Sequence, residues 1–179
     1  MSEELLDLID NDDRVVGQAA RSEVHGNPAL LHRVVHVLVF DSNGRVFLQK
    51  RSEDKDVQPG KWDTSVGGHV DAGESRKQAV HRELREELGI PPEGRNSPAL
   101  TFLHAYRHEN DYESELVTTW MCCWDGPFHL QESEISDGRF WSTAEIESQL
   151  DLRVEESSFT PNFADEWKRW NRAGCPGPE

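Results

Sequence analysis

Residues 68–74 read Gly-His-Val-Asp-Ala-Gly-Glu, and residues 82–90 read Arg-Glu-Leu-Arg-Glu-Glu-Leu-Gly-Ile. Seven residues separate the two stretches, and together they predict a helix of about four turns over residues 74–88. Gly89 and the pair Pro91-Pro92 end it, because glycine favours a left-handed cap and proline cannot continue a helix. Gly67-Gly68 lies just before the helix, where glycine lets the backbone turn sharply and approach closely.

Three carboxylates fall on one face of this predicted helix. At 3.6 residues per turn, Glu83, Glu86 and Glu87 lie within an arc of about 100°. The adjoining stripe is apolar and consists of Val80, Leu84 and Leu88. Like charges four residues apart destabilise a helix by about 0.2 to 0.5 kcal/mol per pair, so a compensating cation is expected. Mg²⁺ prefers oxygen ligands and takes further ligands from substrate phosphates, and the pattern therefore predicts a magnesium site.

Two neighbours complete the predicted site. The carbonyl of Gly67 comes close enough to act as an extra metal ligand, and Arg82 stands four residues before Glu86, where it can orient that carboxylate. The plain alternative is a solvated acidic helix face in a chain rich in glutamate. A chance match at all nine specified positions of residues 68–90 is of order one in 10⁸ per starting point, which favours a functional site.

At each of these nine positions the segment resembles the box of the Nudix family. That resemblance implies an α/β/α sandwich, and hydrolysis of a nucleoside diphosphate linked to another group with Mg²⁺ or Mn²⁺. Carried over by position, Glu86 and Glu87 are the main metal ligands, and Glu83 is a ligand or the base that activates water. Arg82 completes the catalytic set. The same resemblance assigns structural roles to Gly68, Glu74, Arg82 and Gly89.

Outside the box, Leu31-His32, Pro59-Gly60-Lys61-Trp62 and residues 65–69 resemble isopentenyl-diphosphate isomerase, a divergent Nudix relative. That family builds a metal site from three histidines and two glutamates. The residues that match in order and approximate spacing are His25, His32, His69, Glu113 and Glu115. They imply a second metal site, although each histidine also has an ordinary explanation in a loop or at a strand edge. Glu115 is also a candidate for an extra carboxylate at the catalytic site.

Gly67 separates this chain from the isomerases, because it stands where they carry their catalytic cysteine. Without a thiol there, proton transfer at an allylic carbon loses one of its two partners. Isomerases also degrade the hydrolase box, whereas this chain keeps it whole. The sequence therefore indicates a hydrolase on an isomerase-like branch.

The net charge is -15, from 19 Lys+Arg against 34 Asp+Glu in 179 residues. A polyanion would meet a repulsive surface, which disfavours binding to a nucleic-acid duplex. A small phosphorylated substrate remains compatible, since carboxylate-held Mg²⁺ can bridge to phosphate oxygens.

Cys122, Cys123 and Cys175 lack zinc-like spacing and indicate reduced thiols. With no signal peptide and no apolar run of roughly 18 residues, we expect a cytoplasmic protein without a membrane segment.

The remaining pattern predicts an α+β fold in one domain. Residues 5–9 and 14–20 flank Asn11-Asp12-Asp13 and predict a hairpin, with a short helix from Leu5 as the alternative. Further strands are predicted over residues 33–40, 46–50, 62–66, 100–108 and 115–124, and late helices from Ser142 and over residues 161–173. We expect a mixed sheet between helices. The predicted parts are a hairpin extension at 1–30, a core at 31–155, a C-terminal helix at 156–173 and a frayed tail at 174–179.

Substrate contacts are less marked in the sequence. Aromatic side chains that could stack a nucleobase, though more often they are core, are Trp62, Tyr106, Trp120 and Trp141. Cations that could hold phosphate, though such charges are usually just solvated, are Arg33, Arg51 and Lys61. We take Arg51, Lys61 and Trp62 as the candidate substrate-binding set. The chain is expected to be a monomer or a homodimer.

Three functions follow in order of preference. The first is a Nudix hydrolase of a nucleoside di- or triphosphate or a related diphosphate compound. The second is an isopentenyl-diphosphate isomerase-like enzyme, which Gly67 disfavours. The third is a non-catalytic nucleotide-binding module, which the intact set of Glu83, Glu86 and Glu87 disfavours. The box specifies the chemistry, while the surrounding loops choose the substrate.

Overall fold

The computed structural model describes residues 3–55, 58–92, 97–151 and 157–174. Within these ranges the elements are β1 (Leu5–Ile9), β2 (Val15–Ala20), α1 (Arg21–Val24), β3 (His32–Phe40), β4 (Val46–Arg51), β5 (Trp62–Asp63), β6 (Val66–His69), α2 (Arg76–Leu88), β7 (Thr101–Glu109), β8 (Ser114–Cys123), β9 (Ile135–Trp141), α3 (Thr143–Leu150) and α4 (Pro161–Arg172). Cys175, most of the predicted tail, parts of the charged loop before Trp62 and the predicted boundary at residue 155 lie outside the described residues.

Strand β3 is the centre of a mixed sheet. It pairs in parallel with β8 along its whole length, from His32↔Glu115 to Phe40↔Cys123, and antiparallel with β6. Its ends also meet β1 and β4. Every residue of β3 except Arg33 is buried, as a strand covered on both faces requires. The predicted α+β class and mixed sheet are confirmed.

Helices cover both faces of this sheet. Alternate residues of β3 pack in two separate hydrophobic cores, since successive side chains of a strand point to opposite faces. One core joins Val35, Val37 and Val39 to the apolar stripe of α2. The other joins Leu38 and Phe40 to Ile146 of α3 and to Phe163 and Trp167 of α4. The fold is therefore a layered sandwich, as expected.

The N-terminal hairpin formed as predicted, and the helical alternative from Leu5 is wrong, because β1 and β2 pair from Leu5↔Ala20 to Ile9↔Val15. Helix α4 begins at Pro161, with Thr160 as its cap. None of the described helices is long and apolar enough to cross a membrane. Cys122 and Cys123 are free thiols, the first buried and the second exposed.

Two predictions of local structure are wrong, and one strand was not predicted. The strand predicted over residues 62–66 divides into β5 and β6, because the Ser65 hydroxyl accepts a hydrogen bond from the Val39 amide at 2.8 Å and donates to the Phe47 carbonyl. The box helix begins at Arg76, two residues later than predicted. Strand β9 was missed, because its centre, Ser-Asp-Gly, looks like a turn, yet it pairs with β4 from Val46↔Trp141 to Arg51↔Ile135.

A buried ion pair joins the centre of the sheet to the last helix. Glu166 of α4 is 0% exposed, and its carboxylate accepts hydrogen bonds from Nδ1 of His36 at 3.1 Å and from the Thr119 hydroxyl at 2.7 Å. Burial lowers the pKa of His36, but the Glu166 carboxylate outweighs it and raises the pKa from 6.5 to about 9. The same pairing overcomes the effect of burial on Glu166 and lowers its pKa. Both groups are therefore charged at neutral pH.

We predict that Glu166→Gln lowers the free energy of unfolding by about 3 kcal/mol at pH 7, because it leaves the His36 cation buried without its partner. The His36 pKa is raised from 6.5 to about 9, so its stabilisation is complete below pH 6.5 and is lost as the pH rises through 9. The deficit of the variant should shrink over that window. Denaturant unfolding at several pH values measures it.

The matched control is Asp165→Asn, which removes the neighbouring exposed carboxylate of the same helix. It should change the free energy of unfolding by less than about 1 kcal/mol, as surface ion pairs do. Equal stabilities for the two variants would refute the structural role of the buried pair.

Candidate active site

Helix α2 is fixed at both ends by local sequence. Ser75 caps the first turn, because its hydroxyl oxygen accepts a hydrogen bond from the Gln78 backbone amide. The Gln78 side-chain oxygen in turn accepts a hydrogen bond from the Ser75 backbone amide. At the other end Gly89 has φ 69°, and its amide donates to the Arg85 carbonyl at 3.0 Å. A Cβ at Gly89 would lie 2.7 Å from Cβ of His129, so glycine is required there for space as well as for conformation.

The box glutamates lie at three different depths. Glu87 is buried, with Oε2 accepting from Nε2 of Gln49 at 2.9 Å and with a further hydrogen bond from the Gly67 amide. The Glu83 side chain is 12% exposed and lies directly over Gly68, where a Cβ would stand 2.1 Å from Oε1. Glu86 is 44% exposed and faces outward. Gly68 is therefore required by the position of Glu83.

Arg82 connects the helix, the preceding loop and strand β6. It donates to Glu74 through Nε at 3.1 Å and Nη2 at 2.9 Å, and Nη2 also donates to the His69 carbonyl at 2.9 Å. Its Nη1 donates to Glu83 at 2.6 Å and lies 3.6 Å from Glu86. Glu74 in turn accepts the Asp71 amide at 3.1 Å. The guanidinium is shared mainly by Glu74 and Glu83, and Glu86 is its most distant carboxylate of the three.

Burial disfavours the ionised form of Glu83 and Glu87. Burial raises the pKa of Glu83 to about 7, although Arg82 opposes the shift. Burial, and then the charge of Glu83, raise the pKa of Glu87 to about 8. Two buried oxygen donors with this proton affinity, beside an exposed third one, fit a hard divalent cation, because the cation would replace the protons they otherwise keep.

A second cluster lies on the opposite face of the sheet from Gly68. His32, His69 and Glu115 each offer a ligand atom, and these atoms lie within 4.8 Å of one another. Nε2 of His25 is 3.4 Å from Nε2 of His69. The same distance limit groups Glu115 with His108 and Glu113. The structure thus brings together all five residues of the predicted histidine site and adds His108.

The protonation of His32 is set by its surroundings. Its Nδ1 lies 3.1 Å from the Leu30 carbonyl, which can only accept, so Nδ1 carries the proton and Nε2 keeps its lone pair. Nε2 is buried and has no hydrogen-bond partner among the described residues. Burial lowers the His32 pKa to about 4 and raises that of Glu115 to about 7. A buried lone pair without a partner beside a carboxylate fits a metal ligand.

Strand β6 separates the two clusters. Successive residues point to opposite faces, so Gly68 faces Glu83 on α2, while Gly67 and His69 face the histidine side. His36 lies over Gly67, where a Cβ would meet its Cδ2 at 3.2 Å. Glu4 bridges the clusters, because its Oε1 is 3.4 Å from Nδ1 of His69 and its charge also acts on Glu83. The two clusters therefore border one short strand.

The remaining predicted residues divide between site and core. Arg51 pairs with Asp63 at 3.2 Å and lies two residues after Gln49 on β4, so it shares the face on which Gln49 bonds to Glu87. Lys61 and Trp62 are half-buried at the start of β5. Trp62 packs edge-on against Trp141, which is core, and Trp120 also packs at a core margin. Arg33 is paired with Asp13 at 2.7 Å.

Sequence reasoning missed Gln49, Asp63, Glu4 and His36. Glu4 and His36 lie far along the chain from the box, and only the sheet brings them beside it. His36 had a weak signal, since it is the one basic residue inside an otherwise apolar run, Val34 to Phe40. A charged or polar side chain at a position buried on both faces calls for a partner.

A model of the NUDIX domain matches residues 30–163. The chain belongs to the Nudix family. Among its relatives is the Nudix hydrolase SCO1686 of Streptomyces coelicolor, 34% identical over 183 residues that cover 98% of this chain and 94% of the relative. Together with the intact box, this makes the chain a hydrolase of that family.

Solved structures agree with the Nudix fold. DR0079 from Deinococcus radiodurans superposes with a TM-score of 0.76 at 26% identity, covering 93% of this chain and 98% of its own. The NUDIX domain of NrtR from Shewanella oneidensis, solved in complex with ADP-ribose, superposes with a TM-score of 0.57 at 17% identity, covering 78% of this chain and 86% of its own. The second likeness concerns the fold alone.

Proposed function

We propose that this Nudix hydrolase cleaves a phosphoanhydride bond in a nucleoside di- or triphosphate, or in a nucleoside diphosphate linked to another group. We further propose that Glu83, Glu86 and Glu87 hold Mg²⁺, for which Mn²⁺ can substitute. The observation that carries the proposal is the burial of Glu83 and Glu87 on one face of α2, which raises their pKa values to about 7 and 8 although Arg82 pairs with Glu83.

Each residue then has a distinct task. A bound divalent cation would neutralise the phosphoanhydride oxygens and favour deprotonation of the attacking water. Gln49 and the Gly67 amide hold Glu87 in one orientation, so its carboxylate is preorganised. Arg82 holds Glu83, which serves as a ligand or as the base that takes a proton from water. Glu86 is the most exposed of the three, so its carboxylate is accessible to a ligand from solvent.

Two observations bear on the substrate class. The net charge of -15 leaves a metal ion as the natural contact for phosphate at the box, which favours a small phosphorylated compound over a nucleic-acid duplex. The ADP-ribose in the NrtR domain supports a nucleoside diphosphate compound in this fold. Gly67 carries no thiol at the position where isomerases carry their catalytic cysteine, and this supports hydrolysis over isomerisation.

We also propose that His32, His69 and Glu115, with His25 and Glu113 beside them, bind a second metal ion. The unpartnered, buried Nε2 of His32 is the specific observation behind this site. Imidazole nitrogen suits Zn²⁺ or Mn²⁺ better than Mg²⁺. The two sites should therefore differ in the metal that they retain.

We expect Glu86→Gln and Glu87→Gln each to lower kcat by at least about 100-fold, because each removes a charged ligand at the reacting phosphate. Purified protein with Mg²⁺ would first be screened against nucleoside di- and triphosphates, nucleotide sugars, dinucleotides, coenzyme A and isopentenyl diphosphate. Release of orthophosphate or pyrophosphate supports hydrolysis. An allylic isomer would support the isomerase, and binding without turnover the non-catalytic module.

The control for these variants is Glu147→Gln, which changes an exposed glutamate of α3 and should leave kcat within about twofold, as a solvated side chain away from the site would. Thermal unfolding separates lost chemistry from lost folding. Near-normal turnover in both box variants would sink the assignment.

Metal content tests the histidine site separately. After loading with Mn²⁺ or Zn²⁺ and mild chelation, wild-type protein should retain about one equivalent, and His69→Ala and Glu115→Gln should lose it, since each removes a ligand. Elemental analysis of the desalted protein measures this. Exposed His129→Ala and the box variant Glu86→Gln should retain the metal. Retention by all variants, or by none, would contradict a site at these residues.

A further inference from the structure

A cationic pocket lies between strand β7 and the C-terminal half of helix α4. Its volume is about 290 Å³, and it is lined by His104, Ala105, Tyr106, Arg169, Arg172 and Ala173. None of these residues belongs to the box or to the histidine cluster. Acidic residues outnumber basic ones in this chain, whose net charge is -15, so a small pocket lined by two guanidinium groups is unusual for its surface.

The two arginines keep most of their hydrogen-bond donors available. Arg169 donates Nε to Asp165 at 2.9 Å, and its guanidinium carbon lies 4.4 Å from the centroid of the Tyr106 ring. Within the described ranges, its terminal Nη groups have no hydrogen-bond partner. Arg172 is exposed and forms no ion pair with any residue that the structure describes. The ring holds Arg169 in place, while the outer donors remain open.

A third side chain in the pocket is also unsatisfied. Both ring nitrogens of His104 are buried, and neither has a hydrogen-bond partner in the described part of the chain. Buried polar atoms are nearly always paired, so the two nitrogens of His104 have hydrogen-bonding capacity that the described residues do not fill. His104 can donate one hydrogen bond to a ligand that enters the pocket.

A helix C-terminus alone accounts for part of this charge, because cations there offset the helix dipole. That dipole amounts to about half an elementary charge. It does not explain why Tyr106 stacks against Arg169 or why the ring nitrogens of His104 have no partner among the described residues. The two guanidinium groups exceed the charge of Asp165 and the helix end together. The carboxylate of Glu166 also acts on His104 and Tyr106, but its charge is balanced by its ion pair with His36, so the two arginines leave the pocket positive.

The pocket adjoins the histidine cluster on the same face of the sheet. His104, Tyr106 and His108 alternate along β7 and so point the same way. Tyr106 stands opposite Val117, and His108 stands opposite Glu115, a residue of that cluster. Neighbours two residues apart on a strand are about 7 Å apart, which is within the reach of a single phosphorylated ligand.

We propose that Arg169, Arg172 and His104 form a binding site for a phosphate or diphosphate group, placed to hold the part of the substrate that lies away from the box. Guanidinium forks match phosphate oxygens bidentately, which favours phosphate as the ligand. The volume of about 290 Å³ leaves room for a phosphate or diphosphate group. The link to the substrate rests on the proposed function, whereas anion binding itself does not.

Inorganic pyrophosphate is the probe, titrated calorimetrically into the full-length protein with a chelator present, so that no metal ion at the box or the histidine cluster can hold it. Wild-type protein should bind saturably. Arg169→Ala and Arg172→Ala should each weaken binding at least tenfold, because each removes a charge-assisted pair. Lys168→Ala removes an exposed cation of the same helix that does not line the pocket, and it should bind like wild type.

Two outcomes would overturn the site: no saturable binding by wild type, or equal affinity in all three variants. Circular dichroism of the exposed Arg172→Ala variant guards against misfolding as the cause. Glu86→Gln should keep wild-type affinity for pyrophosphate, which separates failure of the pocket from failure of the proposed chemistry. Once a substrate is identified, Arg172→Ala should raise its KM at least fivefold with kcat within about twofold.

Discussion

Arg82 is the interaction on which the rest of the site depends. One guanidinium binds Glu74 in the loop, Glu83 on the helix and the carbonyl of His69 on strand β6. The connection between the strand and the helix also bonds to β1, since the Ala72 amide donates to the Leu5 carbonyl and the Gly73 amide donates to Asp7, and Arg82 joins all three elements at one point. Because a guanidinium presents five donors in a rigid fork, it fixes their distances and angles together. The position of Glu83 over Gly68 follows from this clamp.

A short strand then divides the chemistry between two faces. Gly68 admits the Glu83 carboxylate on one side, and Gly67 with His69 borders the histidines on the other. Each face holds buried polar groups that lack a compensating partner. On the box side these are carboxylates with raised pKa values, and on the histidine side it is a ring nitrogen of His32 with no hydrogen-bond partner among the described residues. Burying such groups lowers the stability of the fold. Their concentration around one strand of four residues is typical of a functional site.

The last helix stabilises the fold and carries two residues of the proposed anion site. Its apolar face fills one core with Phe163 and Trp167, and Glu166 completes a buried ion pair with His36 in the central strand. Its final turn brings Arg169 over Tyr106 at the edge of the histidine face. The helix therefore places the arginines Arg169 and Arg172 together on a chain that is acidic as a whole. Their position depends on the same contacts of α4 that stabilise the fold.

The sequence alone determined the box and predicted its helix and a magnesium site there, because those residues are close in the chain and their spacing follows helical periodicity. It also predicted the hairpin, the mixed sheet and the five residues of the histidine cluster. It missed β9, whose polar centre conceals a strand, and the break at Ser65, whose hydroxyl satisfies backbone groups of two other strands. Only the tertiary structure joined His36 to Glu166, 130 residues away, and Tyr106 to Arg169. Such pairs depend on the strand order and on where α4 lies across the sheet, and local periodicity carries no information about either.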